Sequence, residues 1–306
     1  MTFPLPQSVP GVVEVELLAG ARADRARAPD LLVEVPHGAD ERAHYDGLRG
    51  RLRGDLPEGL ELFFDVNTDI GAWAYGRATA RALLAAEPRR SALILRSSIP
   101  RTFVDCNRPA DYGGGDLGAG GLTPGIPSYV RDPDDRALLV ALHRRYVDVA
   151  TDAYARICGA GGLALAPHTY GPRTVGIDAV DETIVTKLRW ALDPARHDSW
   201  PLRAEIDLLT RDGEGRCWAP EGIEARLLAD FAAAGFSGVA NEAYHLHPSA
   251  LAHAWSVAHP GRVLCMEVRR DLLVEAWTPF APMRVVDERC VAIAEVLAPA
   301  LLERLD

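Results

Sequence analysis

The sequence predicts an α/β protein, a three-layer α/β/α arrangement on a mostly parallel mixed sheet. Two observations lead there. Short apolar or β-branched runs at residues 31–35, 60–64, 92–96, 162–166 and 262–268 have the length of buried strands. Between them, residues 71–86, 134–157, 223–234 and 287–305 place apolar side chains at three- and four-residue intervals, with charges on the opposite face. Strands alternating with helices of that length form a parallel sheet covered on both sides. At 306 residues and 48% hydrophobic content the chain can bury a large core. No repeat, low-complexity tract or linker divides it, so residues 1–306 read as a single domain.

One segment breaks the alternation. Residues 109–132 carry Gly113, Gly114, Gly115, Gly118, Gly120 and Gly121, followed by Pro124 and Pro127, with Pro133 just beyond. This composition predicts an irregular loop, and a loop of that length in a compact domain is expected to cover or line a site.

Charge and cysteine usage narrow the partners. With 33 basic and 43 acidic residues the net charge is -10, which supplies no basic face for nucleic acid or anionic lipid. An anionic small molecule must therefore be drawn in by a local cluster of arginines. Lys187 is the only lysine, so arginine carries nearly all the positive charge. The opening MTFPLPQSVPGVVEVELL has neither a basic leader nor an apolar run of signal length, and no stretch approaches a membrane span. A cytoplasmic location is the expectation, and homo-oligomerisation is open. Cys106, Cys158, Cys217, Cys265 and Cys290 are odd in number and never in a C-x-x-C pair, as suits reduced structural thiols.

Several residues stand where chemistry is expected. His37, in Pro36-His37-Gly38, follows the run at 31–35 and so emerges at the carboxyl end of a strand, where parallel sheets bind ligands. Asp40 and Glu41 follow within a turn and could join it on a metal. Asp69, after the run at 60–64 and before the helix at 71–86, is either a helix cap or a ligand. His168, in Pro167-His168-Thr169, repeats the placement of His37 on another strand. Two histidines and a carboxylate with an open position for water are a common hydrolytic zinc set.

The run 101–108 reads as a short apolar strand with Arg101 at one end and Asn107 and Arg108 at the other. Arg108 offers a planar fork for a carboxylate and Asn107 a directed hydrogen bond; an ion pair with Asp105 or Asp111 is the structural alternative. Glu267 lies inside the apolar run 262–268, where a carboxylate must be paired, bind a metal or do chemistry. It is a natural general base. Arg173, Asn241 and Glu242 are further candidates for lining the pocket, with loop-structural roles as the alternative.

Taken in order, these motifs resemble the N-formylglutamate amidohydrolase family. The elements are Pro36-His37-Gly38, Thr68-Asp69, Phe103-Val104-Asp105-Cys106-Asn107-Arg108-Pro109, Pro167-His168-Thr169 and Met266-Glu267-Val268, spread over about residues 31 to 275. The Asp-x-Asn-Arg element and the late glutamate are the specific ones. The resemblance implies a carboxypeptidase-like (phosphorylase/hydrolase-like) α/β/α fold with one divalent ion, most expectedly Zn2+. It implies His37, His168 and Asp69 as ligands, with Asp40 as the alternative, because family members generally lack an acidic residue at the latter position. Asn107 and Arg108 would hold the carboxylate of a small N-acyl amino acid, and Glu267 would act as base and then acid. Arg173 and Arg101 are further substrate-binding candidates outside this carry-over, the Pro-Arg after His168 differing from the glutamate-specific pattern. The implied reaction is hydrolysis of an N-formyl or other small N-acyl amide by metal-activated water. The sequence departs from the family at Ala166, where an aspartate two residues before the second histidine would orient the ring. The alternatives are a hydrolase of a different N-acyl compound or peptide-like amide, and an inactive substrate-binding relative.

Overall fold

The computed structural model describes residues 3–117 and 120–305; Gly118 of the glycine-rich segment lies outside them. Seven strands form one mixed sheet: β1 (Val13–Ala19), β2 (Leu31–Val35), β3 (Ser91–Ser97), β4 (Leu163–Tyr170), β5 (Ile206–Leu209), β6 (Gly238–Ala240) and β7 (Val263–Arg269). Their spatial order is β1-β3-β2-β4-β7-β5-β6. The centre, β3-β2-β4-β7, is parallel. β1 pairs antiparallel with β3, and β5 antiparallel with β7, which makes the sheet mixed.

Alternation along the central strands divides the core in two. Leu32, Ala164 and Cys265 face one side, while Leu31, Val33, Leu165 and Met266 face the other. The first side is covered by α4 (Pro133–Ile157) and by α8 (Leu251–Ala258); the second by α3 (Ala72–Ala86), α7 (Ile223–Ala233) and α9 (Asp287–Leu302). This is the expected α/β/α layering. Gly76 of α3 shows how close the layers come: a Cβ there would lie 2.9 Å from Val33 Cγ1 and 3.0 Å from Pro167 Cγ. Only glycine lets α3 seat against the strand that carries His168.

Two expected strands are absent. Residues 60–64 belong to helix α2 (Leu60–Asn67), which buries Leu60, Phe63 and Phe64. A short apolar run cannot be assigned by periodicity alone, and here the spacing 60, 63, 64 is that of a helix face. Residues 101–108 form successive turns after β3, with Phe103 N donating to Pro100 O and Arg108 N to Asp105 O. Shorter elements escaped the sequence reading, among them α1 (Arg42–Arg49), α5 (Ile184–Ala191), α6 (Pro194–His197) and α8. Residues 109–132 are irregular as expected, apart from the undescribed positions. The loop closes on itself at Gly125, where a Cβ would meet Pro109 O at 2.1 Å. The five cysteines are free and all but Cys217 are buried. No helix among the described residues is long and apolar enough to cross a membrane.

Candidate metal centre and substrate cavity

The carboxyl ends of the parallel strands open into a cavity of about 410 Å³. His37 enters it just beyond β2, and His168 from the carboxyl-terminal part of β4, so the 131 positions between them in sequence collapse to a ring-centroid separation of 5.0 Å. Asp69 joins from the connection between α2 and α3. Its Oδ2 lies 3.1 Å from His37 Nδ1 and 3.0 Å from His168 Nδ1. The capping role is ruled out: α3 starts at the left-handed Gly71 with no side-chain cap, and Asp69 turns inward instead.

One ligand atom from each of His37, Asp69 and His168 lies within 4.8 Å of the other two, and all three residues are buried. Two imidazole nitrogens and a carboxylate oxygen form a donor set that suits zinc and leaves a position open, so the residues fit a divalent cation. Asp40 is not part of this group. It pairs with Arg96 and clusters with Glu41 and His44 on the rim of β2, which corrects the alternative assignment.

Asp105 is the residue that sequence reasoning passed over. His37 Nε2 donates to its Oδ1 at 2.7 Å, which fixes the tautomer that leaves Nδ1 available toward Asp69 and a cation. Its Oδ2 accepts from Arg101 Nε at 3.0 Å and from Thr123 Oγ1 at 3.1 Å. The signal was present, because Asp105 belongs to the Asp-x-Asn-Arg element, yet nothing local distinguishes an orienting carboxylate from a salt-bridge partner. No comparable partner replaces the missing aspartate at Ala166: among the described residues, the hydrogen bonds of the His168 ring run to Asp69 alone. Tyr75 of α3 fixes the backbone there, donating to His168 O at 3.1 Å.

The electrostatics follow from burial set against partners. Burial opposes the charge of Asp69, but His37, His168 and Arg101 outweigh it and hold the carboxyl well below its usual range. Asp105 is held down in the same way against burial by Arg101, His37 and Arg108. Burial and Arg101 disfavour a charged His37, and Asp105 and Asp69 overcome them, so its pKa is raised. Glu267 behaves oppositely: burial pushes its pKa up to about 7, with Asp69 adding to the rise against His168 and Arg101. It stands directly across from His168 in the parallel register of β4 and β7, and its Oε2 is buried without a hydrogen-bond partner. A carboxyl near neutrality with a free oxygen can take up and return a proton.

The four expected substrate-binding residues all line the cavity, but in different capacities. Arg108 is buried; its Nη1 donates to Asn107 O at 2.7 Å and its Nε has no partner. It makes no ion pair with Asp105 or Asp111 in the structure, which leaves its charge for a ligand. Asn107 uses one end of its amide structurally: its Oδ1 accepts from Ala252 N at 2.9 Å, in the first turn of α8. The side chain thus acts as a distant helix cap through its oxygen, and its Nδ2 makes no hydrogen bond among the described residues. Arg101 spends its guanidinium on Asp105, Asp69 and Thr123 and braces the centre. Arg173 donates to Trp200 O and pairs with Asp198 at the mouth. Asn241 is structural, its Oδ1 accepting from Thr210 N and Arg211 N in a left-handed turn. Glu242 is not among the lining residues, whereas Tyr244, His245, His247 and Trp277 are, and none of these stood out in the sequence.

No family model matches the chain, and no curated protein sequence does either. Solved structures do. The N-formylglutamate amidohydrolase of Ralstonia eutropha JMP134 superposes with a TM-score of 0.52 at 16% identity, over 96% of this chain and 97% of that one. A gene product of Agrobacterium tumefaciens gives a TM-score of 0.51 at 17% identity, over 96% and 94%. The chain is thus similar in fold, along nearly its whole length, to a solved N-formylglutamate amidohydrolase, the family whose motifs its sequence resembles.

Proposed function

We propose that the protein is a metal-dependent amidohydrolase that removes a small acyl group from an N-acyl amino acid. The observation that supports this reading best is the buried, partner-free Glu267 oxygen across from His168, beside three side chains whose donor atoms lie within 4.8 Å of one another. His37, Asp69 and His168 would hold a divalent ion, with Zn2+ the best match to two imidazoles and a carboxylate. Such an ion, when bound, acidifies water and polarises an amide carbonyl.

The chain's own groups supply the remaining steps. Arg108 binds the substrate carboxylate through a guanidinium that forms no ion pair among the described residues. Asp105 keeps His37 in one tautomer, and Arg101 keeps Asp105 and Asp69 in place. Glu267 takes a proton from the attacking water and delivers it to the departing amine nitrogen, as a carboxyl with a pKa near working pH can do in both directions. The like fold of the Ralstonia amidohydrolase supports the reaction class. A soluble, cytoplasmic enzyme acting on small molecules is consistent with the acidic composition.

The test is formate release from a set of N-formyl amino acids by zinc-loaded protein, beside Glu267→Gln. Turnover by the wild type and its loss in the variant, with metal content unchanged, is the expected result. Metal loss in the variant would make Glu267 a ligand, and silence of the wild type on every N-acyl compound would overturn the proposal.

A further inference from the structure

The cavity lining is of two kinds. Its polar part includes the metal-ligand group, Glu267, Arg108 and Arg270; its apolar part includes a wall of Phe63 and Val66 from α2, Val180, and Ile184, Leu188 and Leu192, which recur every four residues along α5 and its cap. Five of these six are buried, the exception being the half-buried Val66, and none can pair with a charge. Lys187 and Arg189 of the same helix do not line the cavity, and Lys187 is held by Asp178 and Asp181. Four of the five buried side-chain polar atoms that lack a partner among the described residues belong to lining residues: Arg108 Nε, Glu267 Oε2, His197 Nε2 and Trp277 Nε1. Buried polar groups are normally satisfied, so this concentration of deficits marks a space shaped for a ligand with a few polar atoms and a substantial apolar part.

We infer that the substrate carries a large aliphatic or aromatic group that packs on the α2–α5 wall, in place of the short acidic side chain of glutamate. The inference rests on the amidohydrolase reading above and narrows its substrate. Arg108 is matched to the carboxylate that every N-acyl amino acid has. Arg270 reaches this wall at Val66, but its Nη1 is spent on Val66 O and its Nε and Nη2 on Thr169, so a second carboxylate directed there would lose its water without a free guanidinium to meet it. The apolar group can come from the amino-acid side chain or from the acyl chain, and the substrate set separates the two.

The experiment compares kcat/KM of the zinc-loaded full chain on N-formylglutamate, N-formylleucine, N-formylphenylalanine and N-octanoylglutamate. It is accompanied by calorimetric binding of the same compounds to the Glu267→Gln variant. A matched methylene is worth roughly tenfold or more in discrimination, so at least one apolar compound should exceed N-formylglutamate by about a hundredfold. Leucine or phenylalanine ahead assigns the wall to the side chain; the octanoyl compound ahead assigns it to the acyl group. Leu188→Ala should shrink the preferred ratio about tenfold. Hydrolysis with N-formylglutamate equal or best overturns the inference and leaves the amidohydrolase reading standing. If no compound is hydrolysed, that reading fails, and the binding data decide: tighter binding of apolar compounds upholds the apolar subsite, and equal or reversed binding overturns it.

Discussion

Replacing Glu267 with glutamine separates the two roles that burial gives this residue. A glutamate carboxyl ordinarily titrates near 4.5, and burial moves that of Glu267 to about 7. The folded protein therefore holds this proton more tightly than the unfolded chain does. The stability due to the neutral carboxyl is fully present below pH 4.5 and is lost as the pH rises through about 7. At ~1.4 kcal/mol per pH unit, the span from 4.5 to about 7 is worth about 3 kcal/mol. Glutamine cannot ionise, so in chelator-treated protein the advantage of Glu267→Gln over wild type should grow by that amount between pH 4.5 and pH 8. Denaturant unfolding at the two pH values measures it. A difference between the proteins that does not change with pH would refute the claim that Glu267 is a buried, unpaired carboxyl. In the zinc-loaded protein the same variant should lose roughly 10²- to 10⁴-fold in kcat, the worth of a general base.

Three further substitutions probe its neighbours. Asp105→Asn keeps the shape but breaks the carboxylate contact to His37, so zinc affinity should fall roughly 10- to 100-fold in competition with a chromophoric chelator. Asn107→Ala should cost about 1 kcal/mol of unfolding free energy through the lost cap on α8 and leave KM nearly unchanged; a raised KM at full stability would restore a substrate contact. Arg108→Ala should weaken binding of carboxylate-bearing compounds by about 2 kcal/mol, read as an increase in Kd on the Glu267→Gln background.

How much of this was legible in the sequence depends on the range of the interaction. His37 and His168 could be placed because each ends an apolar run, and strand ends of a parallel sheet share an edge. Glu267 was legible as a carboxylate inside such a run. Asp69 was ambiguous locally, and only its contacts with two histidines from distant strands resolve it as something other than a cap. The capping contact of Asn107 was not legible because its partner, the start of α8, lies 145 residues away and α8 gave no strong helical signal. The apolar wall was invisible for a similar reason: α5 is only eight residues long, and the run that became α2 has a composition that suits strand and helix equally.

Everything proposed for the site depends on His37, Asp69 and His168 sharing one cation. Zinc content after chelator stripping and reloading, measured by elemental analysis for wild type beside His168→Ala, tests that most directly. The account predicts close to one tightly held ion per wild-type chain and almost none in the variant. A wild-type chain that retains no divalent ion, or a variant that retains it equally well, would contradict it.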